Sequence, residues 1–141
     1  MSAAALSTTA PAHPALRWGA GALAVAFGIA TLAEGGSVLF GGAQARAAAG
    51  HVVPFVLGFN FAAGFAYVLA GFAAALGRRQ ALWIARALAL STLAVFSALG
   101  VHALLGGAFE TRTPVAMTVR SMFWIALSLV LPRLLKGVPH A

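Results

Sequence analysis

The chain has 141 residues, 62% of them hydrophobic and 8% charged, with a formal net charge of +7 and no cysteine. Soluble domains carry about 25% charged residues, so this chain lacks the charge to coat a water-facing surface, and its mean hydropathy of +0.96 agrees. The missing cysteine excludes disulfides, thiolate metal sites, iron–sulfur clusters and thiol redox chemistry.

A helix that crosses a bilayer needs about 20 mostly apolar residues, and four stretches supply them. Residues 1–16, rich in Ala, Ser, Thr and Pro, read as a disordered lead-in. A transmembrane domain over 17–136 follows, its first span predicted at 18–40. A Gly/Ala-rich connection at 41–50 leads to a second span at 52–76. "GRRQ", in 77–81, turns the chain into a third span at 82–105. The loop at 106–113 precedes a fourth span at 114–135, and 137–141 form a tail. Short connections force neighbouring helices antiparallel, so the fold class expected is all-α, a four-helix transmembrane bundle. An alternative reads Arg17, the apolar run and "AQA" at 43–45 as a cleavable signal peptide, although the run is longer than such a region needs.

The basic residues are scattered among apolar segments, which argues for topology-setting charges and against nucleic acid. Arg17, Arg78, Arg79, Arg86, Arg133 and Lys136 fall on one side, Arg46 and Arg112 on the other. The positive-inside rule then puts both termini in the cytoplasm, as in a multi-pass protein of a bacterial inner membrane. Trp18 and Trp83 would anchor the inner interface.

"LFGGAQAR" (39–46) and "LLGGAFETR" (104–112) each precede a helix with a proline near its start. Six residues beyond Pro54 and Pro114 come Asn60 and Arg120, the polar residues of those helices. This pattern suggests two repeated helical hairpins with Asn60 and Arg120 at equivalent depths. Glycines at 21, 28, 35 and 42, and again at 64 and 71, recur every seven residues. Small residues at that spacing let backbones approach closely in lipid.

Glu34 follows Arg17 by 17 residues, about 26 Å along a helix, which sets it just inside the outer edge of the bilayer. Arg120, about 9 Å below Pro114, and Asn60 fall at a similar level. A charge at the bilayer centre costs about 2.5–3.5 kcal/mol, and pairing offsets much of it. The expectation is a buried Glu34–Arg120–Asn60 network, set against an Arg120 that snorkels to the headgroups. Asn60, Gly64, Tyr67 and Gly71 share one helix face, as do Ser91, Val95, Ala98 and His102. Turned inward, these faces would form a lipophilic pocket flanked by Tyr67 and His102.

No catalytic residue is expected, because no nucleophile elbow, zinc-protease helix motif or phosphate loop is present. No cofactor is predicted. His51 and His102, near the outer helix ends, are weak candidates for a metal or haem, and His13 and His140 lie in the tails.

"AGFAYVLAGFAAALGRRQALWIARALALSTLA" (63–94) resembles the DoxX-like group of small four-helix integral membrane proteins. The resemblance implies a bundle that works beside redox or other membrane partners. "TLAEGGS" (31–37) is similar to the small multidrug resistance family in placing an acid in the first helix. That resemblance implies proton exchange at Glu34, which an arginine partner would weaken. The reading reached is a membrane protein that binds a lipophilic small molecule or serves as an accessory subunit to a membrane partner, with room for a homo-oligomer. A proton-coupled transporter and a haem or redox anchor are the alternatives.

Overall fold

The computed structural model describes residues 13–136 and contains five helices there. They are α1 (Pro14–Phe40), α2 (Gly42–Ala49), α3 (Pro54–Ala75), α4 (Gln80–Leu104) and α5 (Arg112–Leu134). The four long ones are each apolar and long enough to cross a membrane. The tail at 137–141, most of the lead-in and His140 lie outside the described residues.

Local chemistry sets the helix ends. Pro14 and Pro54 occupy the first turn of α1 and α3, where a missing N–H costs nothing and the fixed φ suits a helix. Two ends are glycine-capped. Gly77 (φ +72°) donates to Ala74 O while Arg78 donates to Ala73 O, and Gly106 (φ +81°) repeats the pattern with Gly107 on Ala103 O and His102 O. Each is a Schellman closure, which needs the left-handed conformation that glycine adopts freely.

α1, α3, α4 and α5 pack in a ring, each long helix antiparallel to the next in sequence. The tightest seam joins α1 to α3. A Cβ built on Gly21 would lie 2.6 Å from Gly71 O, one on Gly28 would lie 2.9 Å from Gly64 O, and one on Gly71 would lie 2.7 Å from Gly21 O. Gly21 and Gly28 therefore face Gly71 and Gly64 backbone to backbone, while Gly35 packs against Phe61. Gly42 leaves the series, standing in the open with φ +79° at the break between α1 and α2.

The core at the end bearing the termini is built largely of alanine, with Leu88, Leu127 and Leu131. An aromatic cluster crosses it. Tyr67 lies 4.6 Å from Trp124 and 5.6 Å from Phe27, and Phe123 meets both Phe27 and Trp124 at 5.0 Å. A smaller cluster of Val53, Val56, Leu99 and Met117 sits at the opposite, α2 end. Large apolar side chains such as Leu23, Leu69, Leu90, Met122 and Leu129 point outward. That surface would be a fault in water and suits hydrocarbon. Trp18 and Trp83 are exposed near the termini end, with the Arg86 guanidinium 5.6 Å from the Trp83 ring.

Three features differ from the sequence expectation. The 41–50 connection contains the helix α2, and α1 begins at Pro14, inside the expected lead-in. On α4 the buried face is Ala81, Ala85, Leu88, Thr92 and Leu99, while Ala98 is exposed and Ser91 half-buried. Ser91 donates its hydroxyl to Ala87 O one turn back. A serine satisfied by its own helix has no need to face inward, so polarity misplaced that face.

Candidate functional site

Arg120 stands in α5 one turn before Trp124 and projects into the bundle with its side chain 8% exposed. Its Nη2 lies 3.7 Å from Glu34 Oε2 and donates a long, 3.5 Å bond to Thr31 Oγ1, one turn below Glu34 on α1. Its guanidinium carbon is 5.7 Å from the Phe27 ring centre, within cation–π range. Its Nε is buried without a hydrogen-bond partner. The glutamate differs sharply, with its side chain 80% exposed. The arginine is therefore internal, and its anionic partner stands at the rim.

Beside this pair opens a cleft of about 430 Å³, between the α2 ends of α1, α3 and α5 and under α2. Small-molecule sites span about 300–1,000 Å³. Val38, Val52, Val56 and Leu57 make its apolar wall, while Glu34, Asn60, His51, Arg112 and Arg120 bring polar groups. It lies where packing is thinnest, since α1 and α5 make the sparsest contact of the neighbouring long-helix pairs. Asn60 comes from α3, and its Oδ1 is buried with no partner.

Below Arg120 the Tyr67 hydroxyl is grouped with Arg120, Trp124 and Thr92. Tyr67 Oη, Thr92 Oγ1 and Trp124 Nε1 are all buried, with no contact that meets hydrogen-bond geometry. This layer forms the floor beneath the cleft.

The rim is tied down by two polar contacts. Glu110, in the loop before α5, accepts from the His51 backbone N–H at 2.8 Å and lies 3.3 Å from His51 Nδ1. Gly50 (φ +70°) makes room, because a Cβ there would strike the Glu110 carboxylate. The hydrogen bond from the His51 backbone, followed by that from its ring, holds the Glu110 carboxyl below its ordinary value of 4.5. Arg112 Nη2 donates to Ala48 O and Ala49 O, capping the last carbonyls of α2 with a cation.

Of the residues singled out by sequence, Glu34, Asn60 and Arg120 come together at one cleft. Tyr67 and His102 do not line it. Tyr67 is fully buried in the floor, and His102 is half-buried with Nε2 3.2 Å from Ala108 O and its ring against Phe55. His51 does line it, held by Glu110. His13 is exposed ahead of α1. Among the described residues, no three His or acidic side chains gather closely enough to hold a metal ion. Sequence reasoning missed Thr31, Thr92 and Trp124. Two of them had a readable mark, for Thr31 precedes Glu34 by three residues and Trp124 follows Arg120 by four, both same-face spacings. Thr92 carried no such mark.

No protein family, curated protein or solved structure was found to match the chain.

Proposed function

We propose that this small multi-pass membrane protein binds a lipophilic ligand in the cleft at the α2 end of its bundle, as a binding or accessory subunit. The observation that carries this reading is the cleft itself. It is of small-molecule size, walled by aliphatic side chains, and carries the bundle's buried Arg120 on its polar side. Sites of this kind take an apolar body on the wall and orient a polar head with a few fixed groups. The sparse α1–α5 seam offers access from the lipid side.

The charge distribution supports an orientation with both termini in the cytoplasm of a bacterial inner membrane. Arg17, Arg78, Arg79, Arg86, Arg133 and Lys136 sit at or near the termini end, and both acids sit towards the α2 end. The resemblance of 63–94 to DoxX-like proteins is in keeping with an accessory role beside a membrane partner. Mass spectrometry of the protein purified in mild detergent tests the reading. A copurified lipophile is expected in the unaltered chain and is expected to fall away in Leu57→Trp, which fills the apolar wall. Equal retention by both would sink the proposal.

A further inference from the structure

Granting that the cleft binds a lipophile, we infer that the polar head of that ligand is an oxyanion, phosphate or carboxylate, which takes the place of Glu34 at Arg120. Three observations converge. Arg120 is more than nine-tenths buried, lines the cleft, and has five N–H donors to place. Its hydrogen bonding stops at one long bond to Thr31, and Nε has no partner. That is meagre satisfaction for a guanidinium held out of water, where buried polar groups are normally fully bonded.

The second observation is the quality of the Glu34 contact. At 3.7 Å it is an ion pair without a hydrogen bond, and the glutamate side chain is 80% exposed. A side chain held this loosely can swing away without disturbing packing. An oxyanion placed at the guanidinium would make the short, forked bonds that Glu34 does not make.

The third is the company around Arg120. Arg112 and His51 also line the cleft, as does Asn60, whose side-chain oxygen is buried without a partner. The amide can present either its oxygen or its NH₂ to a ligand, since the two ends are close in shape. Arg112 is engaged at the α2 carbonyls and His51 with Glu110, so the donors left over are those of Arg120, whose one carboxylate partner stands at the rim. A cleft with this surplus of donors recognises negative charge, with the aliphatic wall taking the tail.

The test is binding of defined probes to the whole protein in detergent, read by native mass spectrometry. An oleoyl lysophosphatidic acid and oleate supply the two oxyanions, and monoolein supplies the same tail with a neutral head. The anionic probes are expected to bind about ten- to a hundredfold tighter than monoolein, the range expected of hydrogen bonds to a charged group. Arg120→Gln is expected to erase that preference. Glu34→Gln is expected to widen it several-fold, because the competing carboxylate is gone, and an exposed site tolerates the change. A purely structural Arg120 would not produce this second result. Inorganic phosphate that displaces the lysolipid makes a free anion sufficient; failure to displace it makes the tail necessary, and both leave the oxyanion at Arg120. Monoolein binding as tightly as the anions, or a preference unchanged by Glu34→Gln, overturns the inference while leaving the lipophilic cleft intact. Binding of no amphiphile at all overturns the cleft reading as well.

Discussion

Glu110 and Arg120 show how differently two charged residues of one chain can be held. Glu110 sits in the loop before α5, accepts from the His51 backbone and ring, and has a carboxyl held below its ordinary value. A group whose pKa is lowered on folding stabilises the fold fully above its unfolded value of 4.5, and that stabilisation is lost as pH falls through the lowered value. Thermal stability in mild detergent is therefore expected to fall as the pH drops below 4.5, and Glu110→Gln is expected to flatten that dependence. A variant that keeps the same acid sensitivity would show that His51 does not hold the carboxylate. Arg120 lies inside the bundle, where an unpaired charge costs about 2.5–3.5 kcal/mol near the bilayer centre. Breaking a buried pair usually costs about 3–5 kcal/mol. The exposed Glu34 shares only part of that burial, so the Glu34 contact contributes less than such figures.

At the scale of elements, the α1–α3 seam governs what each glycine tolerates. A Cβ at Gly28 would lie 2.8 Å from Val68 Cγ2 and 2.9 Å from Gly64 O, the second of which is backbone and cannot step aside. Gly28→Leu is expected to destabilise the bundle by about 1–3 kcal/mol, the usual cost of overpacking. Gly58→Ala, on α3 with nothing within 4 Å, is expected to leave stability nearly unchanged. Unfolding curves of the two variants in one detergent make the comparison, and equal losses would refute a seam of direct backbone contact. These glycines were legible in sequence because a seven-residue period of small residues has one economical meaning in lipid. The helix α2 was not legible. Its "GAQARAAA" carries no apolar stripe to read, and its C-terminal carbonyls are capped by Arg112 from 63 and 64 residues away.

Over the whole molecule, depth was readable throughout, while azimuth was readable on α1 and α3, where glycines mark the inward face, and not on α4. A helix advances by about 1.5 Å per residue, so the level of Glu34, Asn60 and Arg120 followed from counting, and the three line one cleft. Which way a side chain points around a helix depends on a contrast between faces. α4, made mostly of alanine and leucine, has little contrast, and there Ser91 drew the inward face one position away from Thr92. The same weakness separated His102 from the cleft it was expected to flank, whereas Tyr67 does face inward beside Gly64 and Gly71 and misses the cleft by lying deeper, in its floor. Segment count and antiparallel order needed no azimuth, and they came directly from hydropathy and the short connections.

The glycine seam also has a mechanical consequence. Where Gly21 meets Gly71 and Gly28 meets Gly64 the two backbones touch, and Val25, Leu32 and Val68 interlock around those contacts, so the pair is expected to resist sliding and to move as one stiff plate. α5 faces α1 across the thinnest seam, with Arg120 reaching over it. Breathing of the cleft is therefore expected to be a one-sided motion, α5 swinging against a fixed α1–α3 wall. Because the chain has no native cysteine, spin labels can be placed at Phe40 and Val115, exposed and outside the cleft lining, across the mobile side, and at Ala33 and Ala62 across the stiff one. The first pair is expected to give the broader distance distribution, narrowing when ligand is bound, while the second stays sharp throughout.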